Sequence, residues 1–166
     1  TLSGHQTTIV RWESSTECGG FSNPQSIAHT NATYNPQPIA QTTCYRAVIR
    51  NGVCPPANSN FTTVNVNPPS QGGTISGAND TICSGGTSGL MTLSGHVSSV
   101  DWWESSTTCP GFSNPQVINV QAATYTSGPL TTTTCFRAQA HNGVCPPTYS
   151  TVATVVVTPV SVGGAV

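Results

Sequence analysis

The sequence predicts an all-β protein: two β-sandwiches in tandem, of about seven strands each. Three observations predict it. The 166-residue chain holds 26 Thr and 19 Ser, no Lys and only nine charged side chains, while Ala, Leu and Glu are scarce for a helical protein. Dense Gly, Pro and Asn clusters punctuate it at roughly the 8–12-residue spacing of a sandwich. It also repeats itself: residues 1–75 align with 92–166 without a gap, at 41 identities in 75.

The offset of 91 maps Leu2-Ser3-Gly4-His5 onto Leu93-Ser94-Gly95-His96 and Trp12-Glu13-Ser14-Ser15-Thr16 onto Trp103-Glu104-Ser105-Ser106-Thr107. It also maps Gly20 to Gln25 onto Gly111 to Gln116, and Asn51 to Pro56 onto Asn142 to Pro147. Residues 1–68 read as a first unit lacking its N-terminal strand, 69–159 as a second unit, and 160–166 as the start of a third. This frame is expected of a slice from a longer array.

In the fuller second unit, residues 73–83 are expected to form the first strand region, Leu90–Leu93 the next, and Val100–Ser105 a third carrying Trp103. Val117–Val120 and Ala123–Tyr125 read as short strands, Thr133–Ala140 as a strong one, and Thr151–Thr158 as the last, with Val155 and Val157 inward. Seven strands in 91 residues with one buried Trp on the third is the pattern of an immunoglobulin-like sandwich. The Asn-Gly pairs at 51–52 and 142–143 fall between the last two strands, where a hairpin needs φ > 0.

Period-two alternation assigns the faces. On the sixth strand Tyr45, Ala47 and Ile49 share one side with their counterparts Phe136, Ala138 and Ala140, and Arg46 and Arg137 take the other. With Trp12 inward, Glu13 points outward. The third and sixth strands of such a sandwich are antiparallel neighbours, so Glu13 should face Arg46 and Glu104 should face Arg137, as structural ion pairs.

Seven cysteines at recurring positions imply an oxidising compartment. Cys109 follows the third strand and Cys135 opens the sixth, at one end of the sheet, which predicts Cys109–Cys135 and, by repetition, Cys18–Cys44. Cys83 is left to Cys145, although strand order gives no reason for them to meet. Cys54 then lacks a partner in this sequence; a Cys54–Cys83 link is the alternative.

No motif of catalysis is present: no P-loop, Gly-x-Gly-x-x-Gly, His-Glu-x-x-His or Gly-x-Ser-x-Gly. Two of the five acids belong to the ion pairs, and the others have no acidic equivalent in the second copy. No Cys-x-x-Cys supports a zinc site. The expectation is no enzyme, no cofactor and no metal. A net charge of −1 gives no footprint for nucleic acid, and no run of about 18 apolar residues predicts membrane insertion. Trp102, beside inward Trp103, should point outward and is the one candidate ligand contact; Arg11 holds the equivalent place.

One set of motifs carries a resemblance: Asp80-Thr81-Ile82-Cys83-Ser84-Gly85, Leu93-Ser94-Gly95, Trp103-Glu104-Ser105-Ser106, Ala123-Thr124-Tyr125, Leu130 to Thr134 with Phe136-Arg137-Ala138, and Asn142-Gly143-Val144-Cys145, closing on a Val-rich strand into Pro159 and Gly163-Gly164. It resembles the immunoglobulin-like repeats of giant surface adhesins of Bacteroidetes, of the gliding-motility type. The resemblance implies an extracellular, cell-surface, non-enzymatic stalk or fibre segment. Its partners would be neighbouring repeats, other copies in a filament, or a surface glycan or protein. The alternatives are a carbohydrate- or protein-binding module, or spacer domains of a secreted hydrolase. Asp80-Thr81-Ile82 resembles the O-glycan acceptor of that phylum, with Thr81 as the modified residue. The resemblance covers Cys83 and Cys145 more firmly than the Cys18–Cys44 and Cys109–Cys135 type of pair, which reads as an added staple.

Overall fold

The computed structural model describes residues 1–5, 7–77, 81–97 and 99–164. Among them are fourteen β-strands and no helix, in two compact units, Thr1–Asn67 and Pro68–Val166.

The first unit contains β1 (Thr8–Ser15), β2 (Gln25–Ile27), β3 (Thr43–Arg50), β4 (Ala57–Asn58) and β5 (Thr62–Val64). They form one antiparallel sheet in the order β2–β1–β3–β4, with β5 also on β3. Ile9 and Trp12 lie three residues apart yet are both buried, which strict alternation forbids. The register skips between Ile9 and Arg11, and this bulge turns both inward. With Tyr45 and Ala47 they form the unit's core, and Leu2, Ala32 and Tyr34 lie against it.

The second unit contains β6 (Thr74–Ser76), β7 (Thr81–Cys83), β8 (Met91–Ser94), β9 (Ser99–Ser106), β10 (Gln116–Ile118), β11 (Thr124–Tyr125), β12 (Thr134–His141), β13 (Thr148–Tyr149) and β14 (Ala153–Thr158). One sheet runs β11–β8–β6; the other runs β10–β9–β12–β14–β7, with β13 also on β12. The all-β sandwich expected from sequence is what forms. Trp103, Phe136, Met91, Leu93 and Val155 are buried in its core, each contributing about 2 kcal/mol of apolar burial. The Trp103 indole N–H donates to the Ala122 carbonyl (2.9 Å), as Trp12 does to Asn31 (3.0 Å). Val100 repeats the bulge of Ile9, with the register skipping opposite Gln139 and Ala140.

The expected first strand, 73–83, is corrected. Its ends are separate strands in different sheets: β6 lies antiparallel to β8, and β7 lies parallel to β14. Gly77, at φ 75°, ends β6, and residues 78–80 lie outside the described residues. The Asn-Gly turns form as expected, with Gly52 at φ 53° and Gly143 at φ 58°. Each is closed by the cysteine amide, Cys54 N–H donating to Asn51 and Cys145 N–H to Asn142 (3.0 Å both).

Candidate functional site

Of the residues singled out from sequence, Glu13 and Arg46 gather on the outer face of the β1/β3 sheet, and Glu104, Arg137 and Trp102 on that of its counterpart β9/β12. Glu13 stands opposite Arg46 and Glu104 opposite Arg137 in register. Arg46 reaches Glu13 Oε2 at 2.8 Å, and Arg137 reaches Glu104 Oε2 at 2.8 Å. Each carboxylate has a second donor on its own strand. In the first unit Arg11 binds Glu13 Oε1 (2.6 Å). In the second, the Trp102 indole N–H donates to Glu104 Oε1 (3.1 Å), and the Tyr149 hydroxyl lies 3.5 Å from the same oxygen. Trp102 does point outward, but its polar edge is engaged by Glu104 and the side chain is half-buried.

Outward is not exposed here. Glu13 and Glu104 are only 5% and 4% accessible. A loop folds back over each pair, carrying Phe21 in one unit and Phe112 in the other. Their rings lie under the guanidinium groups of Arg46 and Arg137, 4.2 Å away in both cases. Tyr149 covers the other side of Arg137 at 3.7 Å. Such desolvated cation–π contacts contribute about 1–2 kcal/mol each. Burial alone would raise the Glu13 carboxyl, but hydrogen bonds and charge from Arg11 and Arg46 outweigh it and hold the group below its ordinary value.

The covering loop is built alike in both units. Phe21 and Phe112 have φ of 52° and 42°, and Asn23 and Asn114 have 49° and 48°. Left-handed backbone costs a Phe about 1–2 kcal/mol. Local bonds hold it: Ser106 Oγ donates to the Ser113 carbonyl (2.6 Å) and accepts from the Thr108 amide (3.0 Å), and Ser15 bonds Ser22 in the same way. Disulfides Cys18–Cys44 and Cys109–Cys135, with Cα separations of 5.6 and 6.0 Å, tie the loops to β3 and β12 respectively. The loop's role was missed from sequence, although the six-residue string Gly-Phe-Ser-Asn-Pro-Gln, unchanged between units, was its visible signal.

The expected Cys83–Cys145 disulfide does not form. Cys83 ends β7 opposite Thr158, at the end of the sheet where β12 begins. Cys145 lies beyond the other end of β12, its Sγ 3.5 Å from the Pro68 carbonyl. Eight strand residues separate the two levels, about 25 Å, against the roughly 6 Å between Cα atoms that a disulfide spans.

Thr81 is exposed at the start of edge strand β7; Asp80 of its motif lies outside the described residues. Asp101, in the bulge of β9, brings its carboxylate against the His141 imidazole Nδ1. A cavity of about 190 Å³ is lined by Ile118, Tyr125, Leu130 and Phe136 with Ser105 and Ser127. Among the described residues no three His, Cys, Asp or Glu side chains gather as a metal site would need.

A family model described as a domain of unknown function (DUF8696) matches the chain twice, over residues 1–68 and 71–159. The chain belongs to this family. Each DUF8696 match spans one of the two covered Glu–Arg pairs with its disulfide. No curated protein matches the chain. The two disulfides of the DUF8696 units fit an oxidising environment.

Proposed function

We propose that the chain is a structural stalk or fibre segment of a large secreted cell-surface adhesin, built from disulfide-stapled immunoglobulin-like repeats and doing no catalysis. The observation that carries this is the duplicated cluster. In both units the carboxylate, the guanidinium and the aromatic rings are spent on one another, so the most distinctive chemistry of each repeat clamps a loop. A clamp preserved through duplication serves stability. Low charge, stapled loops and units with cores of their own suit a chain exposed to a harsh exterior and to tension. The resemblance to gliding-motility-type adhesin repeats supports the same reading, and Thr81 is then an accessible O-glycan acceptor.

Antibodies raised against the purified chain test it. They should label intact producing cells along surface filaments, and mild external proteolysis should remove the label. Label found only after permeabilisation would overturn the reading.

A further inference from the structure

We propose that the Asn-Gly-Val-Cys turn of the repeat is a binding seat for an extended link of the pattern Pro-x-Ser-x-Gly-Gly. The proposal deepens the stalk reading and rests on it for its purpose, since a gripped link moves with the repeat that it enters. In the second unit residues 68–73 fill the seat. The Asn142 side-chain amide donates to the Pro68 carbonyl (2.9 Å), and the Cys145 thiol donates to the same oxygen (3.5 Å). The Asn142 backbone N–H donates to the Ser70 hydroxyl (3.0 Å). Further along, Val97 N–H donates to the Gln71 carbonyl and Thr151 N–H to the Gly73 carbonyl, both at 3.1 Å. Composition alone would make such a segment a spacer with its backbone in water; here the second unit binds it.

The fit selects residue types. Ser70 supplies the hydroxyl that Asn142 addresses. A Cβ on Gly72 would collide with the Tyr149 carbonyl, and Gly73 has φ 75°. The chain carries a second segment of this pattern, Pro159-Val160-Ser161-Val162-Gly163-Gly164, at the repeat offset. Pro, Ser and both Gly recur in it. Pro69 and Gln71, both exposed, are the positions that change, to Val160 and Val162. The residues kept are thus those that the seat touches or whose backbone it needs.

The seat is also preformed. Asn51 to Pro56 repeats Asn142 to Pro147 without a change. Gly52 and Gly143 share their left-handed backbone, and the cysteine amide closes both turns at 3.0 Å. Asn51 and Cys54 are exposed, whereas Asn142 and Cys145 are half-buried. The turn therefore has one shape whether exposed or covered, and binding a link costs it little ordering. The first unit's turn offers the same donors to a segment of the same chemistry.

Nuclear magnetic resonance on the full chain tests this in two ways. Ser70→Ala should cost the Asn142 amide its protection from hydrogen exchange. Asn142→Asp, which turns an oxygen on the Pro68 carbonyl, should lower the heteronuclear NOE of the Ser70 and Gln71 amides, the mark of fast local motion. A peptide with the sequence of residues 67–75, added at millimolar concentration to the parent chain, should shift the resonances of Asn51 to Cys54. It should leave Asn142 to Cys145 unmoved, because their own link is seated, and Asn51→Asp should abolish the shift. Link amides as rigid and as protected in both variants as in the parent, no shift at the first turn, or equal shifts at both turns would each overturn the seat. Surface labelling of cells is independent of these results, so the seat and the stalk reading fail separately.

Discussion

Glu104 has four near neighbours with distinct jobs: Arg137 neutralises it, Trp102 and Tyr149 address its second oxygen, and Phe112 helps keep water out. Removing the guanidinium strands a buried carboxylate, so Arg137→Ala is expected to destabilise the second unit by about 3 kcal/mol in urea unfolding. Arg137→Lys keeps the charge but forfeits the planar stack between Phe112 and Tyr149, and should recover only part of that loss. Glu13 gives a pH signature. Its folded value is depressed, so its contribution is fully present above the unfolded value of 4.5 and is lost as pH falls from there through the lower folded value. Unfolding midpoints of Glu13→Gln and the parent chain should therefore differ at neutral pH and converge in acid. Alternation along the strands was enough to pair Glu13 with Arg46 and Glu104 with Arg137. It was silent on burial, because a side chain pointing away from the core is exposed only until a loop crosses it, and Phe112 takes a backbone conformation that sequence rules deny a Phe.

The covering loop and β12 act as one element because Cys109–Cys135 joins them. That disulfide closes 26 residues, which in the loop-entropy view is worth about 3 kcal/mol. Cys109→Ser with Cys135→Ser should lower the urea midpoint of the second unit accordingly. It should also expose Phe112, seen as faster proteolysis between Thr108 and Pro115. A separate backbone contact locates the start of the same unit: a Cβ on Gly72 would stand 1.9 Å from the Tyr149 carbonyl oxygen. Gly72→Ala should then cost about 1–3 kcal/mol, read by the same unfolding assay. At this scale the pairing of Cys109 with Cys135 was legible, since both flank adjacent antiparallel strands at one end. Cys83 was not legible, because its strand leaves the first sheet and runs parallel to β14, and a switch between sheets leaves no mark in hydrophobic period.

Two repeats of one sequence pattern need not be equally stable. The second unit closes two sheets over nine buried apolar residues, whereas the first has one sheet and a core of Ile9, Trp12, Tyr45 and Ala47. Trp12, Tyr34 and Tyr45 repeat the ring cluster of Trp103, Tyr125 and Phe136, with centroids 5.6–5.8 Å apart in both. Among the described residues no strand of the first unit repeats β6, β7, β8 or β11, and each large apolar side chain left uncovered forgoes about 2 kcal/mol. Urea unfolding of the full chain should thus show two transitions, the first unit melting earlier. Cys18→Ser with Cys44→Ser should move only the earlier one, and Cys109→Ser with Cys135→Ser only the later. A single transition shifted equally by both pairs would mean that the repeats stabilise one another, which separate cores do not provide for.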